Sequence, residues 1–215
     1  MSETGAALAH HFDDLEQQHD AATLGMWVFL ATEVMFFGGL FTGYTVYRWQ
    51  YPRDFAEASR HLDTTVGALN TAVLLASSLT MALAVHAAQT SRRRALVGFL
   101  AATILLGSVF LGVKAYEYHD KYAHHLVPGL DFTYEPGTAR EFQIFFLFYF
   151  FMTGMHALHM VIGIGLLGVI SYLAWRGRFG AEYYNPVEVT GLYWHFVDII
   201  WIFLFPLLYL IGAHL

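Results

Sequence analysis

The chain has no cysteine among its 215 residues, so a disulfide framework, a thiolate metal site and a cysteine nucleophile are all excluded. Charge is scarce as well. Only 13% of residues are charged, against roughly 25% in a soluble domain. Proline occurs five times, and the first twenty residues contain no Lys or Arg. A secretory signal needs a basic segment before its apolar core, so this start is the wrong kind. The formal net charge of -6, with eleven Lys and Arg in all, argues against the clustered basic footprint of a nucleic-acid binder.

What the chain has instead is apolar length. Hydrophobic residues make up 57%, and the mean hydropathy is +0.47. A bilayer core of about 30 Å needs roughly 20 apolar helical residues. Five stretches meet that demand, at about 24–47, 67–89, 95–118, 142–174 and 189–213. The expected fold is an all-α, polytopic membrane helix bundle with five transmembrane helices. The division is a polar tail over 1–20 and a membrane domain over 21–215. The fourth stretch exceeds one span, which implies tilt or an extension past Ser171. Its aromatic start, Phe142 to Phe151, suits a lipid-facing or interfacial end. Pro52, Pro128, Pro136 and Pro186 are expected in loops, and Pro206 is expected to bend the fifth helix.

Orientation is weakly encoded. With the N-terminus inside, the inner segments hold Arg92, Arg93, Arg94, Arg176 and Arg178. The outer ones hold Arg48, Arg53, Arg60, Lys121 and Arg140, an equal number. The Arg92-Arg93-Arg94 cluster at two helix ends tips the balance towards an inside N-terminus.

Ionisable groups inside lipid cost several kcal/mol and normally face the bundle with a partner. Glu33 stands about nine residues into the first stretch, roughly 14 Å along a helix. His156 and His159 are one turn apart in the fourth, as are His195 and Asp198 in the fifth. Antiparallel packing brings these five to similar depths, where they could form one buried polar cluster. Asn70, Lys114 and Glu117 form a second set near the opposite surface. Each has a plainer alternative. Glu33 could be a protonated acid bonded to a neighbouring helix, and the histidines could be interhelical hydrogen-bonding groups. A haem would need two histidines on facing helices, such as His156 or His159 with His195. A carboxylate-bridged di-iron site needs more carboxylates than these helices offer.

Other patterns lead elsewhere. The run Gly163-Ile164-Gly165-Leu166-Leu167-Gly168 spells a dinucleotide fingerprint, but no strand precedes it; close helix packing is the expected use, as for Gly39 and Gly43. His10-His11 and His124-His125 read as solvated residues. Tyr47, Trp49, Tyr116, Tyr118 and Trp175 read as interfacial anchors.

Ordered motifs carry a family resemblance. Thr153-Gly154-Met155-His156-Ala157-Leu158-His159-Met160-Val161-Ile162-Gly163 resembles the TGFHGLHVxxG signature of cytochrome c oxidase subunit III. Tyr193-Trp194-His195-Phe196-Val197-Asp198 followed by Trp201 is similar to that family's YWHFVDxxW. Gly25-Met26 with Thr32-Glu33-Val34-Met35-Phe36-Phe37 matches GMxxFxxSExxFF, with Thr for Ser. Leu69-Asn70-Thr71 with Ser77-Ser78 resembles LNTxxLLxSS, and Lys114-Ala115-Tyr116-Glu117-Tyr118 resembles QxxEY.

The resemblance implies a short, five-helix bacterial form lacking the two helices that build one arm of a lipid-filled cleft in longer members. It implies a subunit without its own cofactor, with haems and copper held by partner subunits I and II. It implies support of proton uptake, protection of the catalytic core during turnover, and structural phospholipid that guides oxygen. Glu33 matches the family's carbodiimide-reactive carboxylate. The complex would be a proton-pumping oxidase in a bacterial plasma membrane, taking electrons from cytochrome c or quinol. Alternatives are the related accessory subunit of a quinol oxidase or nitric oxide reductase, an independent b-type cytochrome anchor, and a small transporter.

Overall fold

The computed structural model describes residues 12–129 and 139–213; His10, His11 and Pro136 lie outside them. The elements are α1 (Leu15–Gln50), α2 (Pro52–Ser59), α3 (Thr64–Gln89), α4 (Arg93–Ala123), α5 (Ala139–Trp175), α6 (Asn185–Tyr209) and a 3₁₀ turn (Ile211–Ala213). Five of the helices are long and apolar enough to cross a membrane. The described residues contain no strand.

α1 starts well before its apolar stretch, so residues 15–20 of the polar tail are helical. The cause is local. The Asp14 carboxylate accepts the Gln17 amide at 2.7 Å, and the Gln17 side chain accepts the Asp13 amide at 2.8 Å. The first bond satisfies a first-turn donor, and the second ties the residue before the cap to the same turn. Asp63 caps α3 in the same way, accepting from the Thr65 and Val66 amides.

α3, α4, α5 and α6 pack in a closed cycle, and α1 lies against α5 and α6. α6 is the most enclosed helix and α1 the least. Trp194 of α6 needs this closeness: a methyl on Gly107 of α4 would lie 2.7 Å from its ring, and one on Gly163 of α5 would lie 3.0 Å away. Packing is thus the use of Gly163, and Gly43 also meets a neighbour. Gly39, Gly165 and Gly168 do not, since a side chain there would enter open space.

Several sequence expectations are corrected. The loop expected over 48–66 contains α2, which buries Phe55, Ala56, Ala58 and Ser59. Pro52 and Pro186 are not loop residues but stand in the first turns of α2 and α6, where the missing N–H has no helical partner to lose. The aromatic start of α5 is not lipid-facing as a whole. Phe142, Phe145, Phe146 and Tyr149 are fully buried, while Leu147 and Phe151 are exposed. Phe145 meets Phe55 of α2 edge-on at 5.5 Å. Tyr118 is no surface anchor, because its hydroxyl bonds Thr153 Oγ1 at 2.5 Å; Tyr47, Trp49, Tyr116 and Trp175 are exposed.

α2 shares a specific task with the end of α1 and the start of α3. The last carbonyls of a helix lack intrahelical partners. Those of α6 accept from side chains across the fold: Leu207 from Tyr44 at 2.6 Å, Leu208 from Ser59 at 2.6 Å and Tyr209 from Thr64 at 3.4 Å. Pro206 lies within α6, and the helix continues past it to Tyr209. Beyond, a methyl on Gly212 would sit 2.7 Å from the Ala56 carbonyl, so only glycine lets the 3₁₀ turn rest on α2.

Candidate functional site

The polar side chains inside the bundle fall into separate groups. Lys114 and Glu117, three residues apart on α4, share one helix face. Their side chains meet at 3.1 Å in a buried ion pair. Lys114 Nζ also donates to the hydroxyls of Tyr149 at 3.1 Å and Tyr209 at 2.8 Å. Both hydroxyls donate in turn to Glu117 Oε1, at 2.8 and 2.5 Å. The three ammonium protons therefore have three acceptors. The Trp201 ring, its centroid 5.2 Å from Nζ, forms an aromatic wall. This is a closed network joining α4, α5 and α6.

Asn70, expected in the same polar set, stays apart from these hydrogen bonds. Its amide donates to the Phe110 carbonyl at 3.3 Å, and its Oδ1 is buried without a protein partner.

The five groups expected to form one cluster are instead divided. Glu33 of α1 pairs with His159 of α5, Oε2 to Nε2 at 3.2 Å. The other ring nitrogen, Nδ1, lies 2.8 Å from the Met155 carbonyl. Phe37 covers the imidazole edge-on at 5.5 Å, and Tyr193 donates to the His159 carbonyl at 3.0 Å. His156, about 60° away around α5, turns inward between Phe110 and Trp201. Neither of its nitrogens has a protein partner. His195 Nδ1 lies 2.7 Å from Ser78 Oγ on α3. Asp198 is 3% exposed, and neither carboxylate oxygen has a hydrogen-bond partner in the protein. Equal depth is a condition for contact, but rotation about each helix axis decides it.

This division bears on the haem alternative. His159 is engaged on both nitrogens, and His195 is directed to α3. With His159 so committed, a pair from these residues would have to use His156, whose two nitrogens have no protein partner, and His195. Among the described residues, no group of three or more His, Cys, Asp or Glu is arranged to hold a metal ion.

Sequence reasoning missed several participants. Tyr149 is hidden in a run of Phe and Leu, and Tyr209 closes the apolar helix α6. Ser77 and Thr71 accept the indole N–H groups of Trp194 at 2.7 Å and Trp201 at 2.9 Å. A signal for these existed: Trp194 and Trp201 are seven residues apart and share one helix face. Lys121, expected in an outer loop, stands in the last turn of α4 with a buried side chain bonded to Asp120 at 2.7 Å.

The sequence model of cytochrome c oxidase subunit III matches residues 5–213. Relatives agree over nearly the full length. Cytochrome c oxidase subunit 3 of Thermostichus vulcanus is 35% identical over 96% of this chain and 94% of its own. The protein of that name from Synechocystis sp. is 33% identical, covering 96% of this chain and 81% of its own. A probable quinol oxidase subunit 3 of Staphylococcus aureus is 28% identical, covering 93% and 94%. With five helices long and apolar enough to cross a membrane and a match that spans every described residue, the chain belongs to the cytochrome c oxidase subunit III family of haem–copper oxidase subunits.

Proposed function

We propose that the chain is the non-redox subunit of a proton-pumping cytochrome c oxidase, packing with subunits I and II while those partners hold the haems and copper. The observation that supports this best is the Glu33–His159 pair. It lies between α5 and the least enclosed helix, α1, with both side chains retaining slight exposure. A carboxyl and an imidazole at such an edge can exchange a proton or contact a lipid without binding a redox centre. The remaining groups, His156, His195, Asp198, Asn70, Lys114 and Glu117, serve interhelical packing and polarity. Cytochrome c is the proposed electron donor, in line with the names of the two relatives above 30% identity. Residues 21–215 form the membrane domain, placed in a bacterial plasma membrane, and the 1–20 segment lies on the cytoplasmic side.

The test is isolation of the intact complex through a tag on this chain, with identification of its largest subunit and donor. Glu33→Ala is expected to leave the haem spectrum of the complex unchanged and to shorten activity during sustained turnover. A haem band in the chain purified alone, or loss of haem from the Glu33→Ala complex, overturns the proposal. Copurification with a quinol-oxidising subunit I overturns the donor assignment only.

A further inference from the structure

Inside the bundle, two buried side chains with incomplete hydrogen bonding approach the same pair of aromatic rings. Asn70 of α3 is 2% exposed and His156 of α5 is 1% exposed. The Asn70 amide donates to the backbone carbonyl of Phe110 at 3.3 Å. The Phe110 ring lies 5.4 Å from the His156 ring and 4.8 Å from the Trp201 ring. His156 and Trp201 are themselves 5.2 Å apart. Trp201 donates its indole N–H to Thr71, the residue that follows Asn70. All four helices of the closed cycle therefore contribute to this place. Two of them, α3 and α5, stand across the cycle from each other and are not packed neighbours.

Asn70 Oδ1 and both ring nitrogens of His156 have no protein partner. Buried polar atoms in folded proteins nearly always have one, because burial strips away the water they would otherwise bond. The neighbouring donors are already committed. Trp201 gives its N–H to Thr71, and the three Lys114 ammonium protons go to Glu117, Tyr149 and Tyr209. A direct bond between His156 and Asn70 would satisfy Oδ1 and one ring nitrogen, leaving the other bare. A neutral imidazole offers one donor and one acceptor, and the amide oxygen offers an acceptor. The ligand that completes this set must both donate and accept. An anion only accepts and a metal ion only receives lone pairs, so neither fits. A lipid or a partner's side chain would need an opening, and two residues this buried give none.

We propose that this place is an internal hydration site, where water bridges His156 to Asn70 and so joins α5 to α3. Water has the required chemistry. It donates to Asn70 Oδ1 and to the unprotonated ring nitrogen, and it accepts from the protonated one. Phe110 and Trp201 pack beside it as apolar neighbours. The bridge links the two helices of the cycle that lack direct packing, whereas α4 and α6, the other opposed pair, already meet through Lys114 and Tyr209.

The test is solid-state NMR of the full-length chain in phosphatidylcholine vesicles, with histidine, tryptophan and asparagine isotopically labelled at nitrogen. Magnetisation starts on water protons and is passed briefly to the protein. The His156 signals are those missing from His156→Phe, and Asn70 is one of only two asparagines, with Asn185. The His156 ring is expected to gain signal as readily as the exposed His86. The Trp194 indole, buried and bonded to Ser77, gains almost none at the same mixing time. Asn70→Leu abolishes the transfer to His156, because water left with too few polar partners is not held. Asn70→Ser, which keeps an oxygen at the site, retains it. Transfer to His156 as poor as to Trp194 overturns the proposal without any variant. So does a dry Asn70 side chain beside a wet His156 in the wild type, since the water is then no bridge. Transfer to His156 that persists unchanged in Asn70→Leu overturns it for the same reason.

Discussion

Removal of Glu117 tests whether the Lys114 network locks three helices together. In Glu117→Ala the ammonium loses its counter-ion and two tyrosine hydroxyls lose their acceptor, while Lys114 remains 4% exposed. At the observed 3.1 Å the Coulomb attraction is about 5 kcal/mol with an effective dielectric of 20. Breaking a buried pair from one side typically costs about 3–5 kcal/mol. For a chain of this size, that lowers Tm by roughly 6–20 °C. Replacing both partners by apolar residues of similar volume, Lys114→Met with Glu117→Leu, removes the buried charge altogether. It is expected to cost much less than the single change. Tyr209→Phe falls between, at about 1.5–3 kcal/mol, because a hydroxyl bonded to charged groups is lost. The assay is unfolding of the purified full chain in mixed micelles, followed by circular dichroism for the wild type and the three variants. A single variant within about 1 kcal/mol of wild type, or a double variant as damaged as the single one, would falsify the reasoning.

Three further outcomes follow from the packing. Gly107→Ala forces a methyl to 2.7 Å from the Trp194 ring and should cost about 1–3 kcal/mol. Gly98→Ala, on the same helix but facing open space, should be neutral or stabilising; equal Tm losses for the two would rule out the slot for Trp194. Ser59→Ala leaves the Leu208 carbonyl without its donor, at a cost of about 1–3 kcal/mol. Faster amide exchange at the end of α6 is the readout, and unchanged exchange would count against the role given to α2. His61, outside the spans, has its pKa lowered by burial first and then by the positive Lys121 and His124, with Glu57 opposing. A histidine shifted downwards binds more protons unfolded than folded, so its contribution is fully present above the unfolded pKa of about 6.5. That contribution is lost as pH falls through the lower folded value. Tm should therefore decline on acidification below about pH 6.5, and less steeply in His61→Gln; parallel profiles would exclude His61 as the source.

The spans were legible because hydropathy over 20 residues integrates many small terms into one unambiguous preference for lipid. Lys114 with Glu117 was legible for a related reason, since a spacing of three on a helix sets the contact by itself. Glu33 and His159 were both recognised as costly intramembrane groups, but their pairing required knowing how α1 and α5 are rotated. That rotation is set by bulky contacts such as Phe37 against His159, which no spacing rule encodes. Tyr149 escaped because its hydroxyl is a single polar atom in a strongly apolar run. α2 escaped because eight residues with little net hydrophobicity resemble a loop until Phe55 and Ser59 find their partners.

The sealing of the α6 carbonyls also constrains the timing of assembly. Tyr44, Ser59 and Thr64 reach carbonyls 163, 149 and 145 positions later in the chain. During synthesis these hydroxyls are made early and must wait for almost the whole chain before meeting their acceptors. Closure of the bundle is therefore a late, long-range event with high contact order. A nascent chain halted just before residue 207 would hold all but the last turn of the fifth span yet present an unsealed junction, a feature by which quality control could tell an unfinished subunit from a finished one.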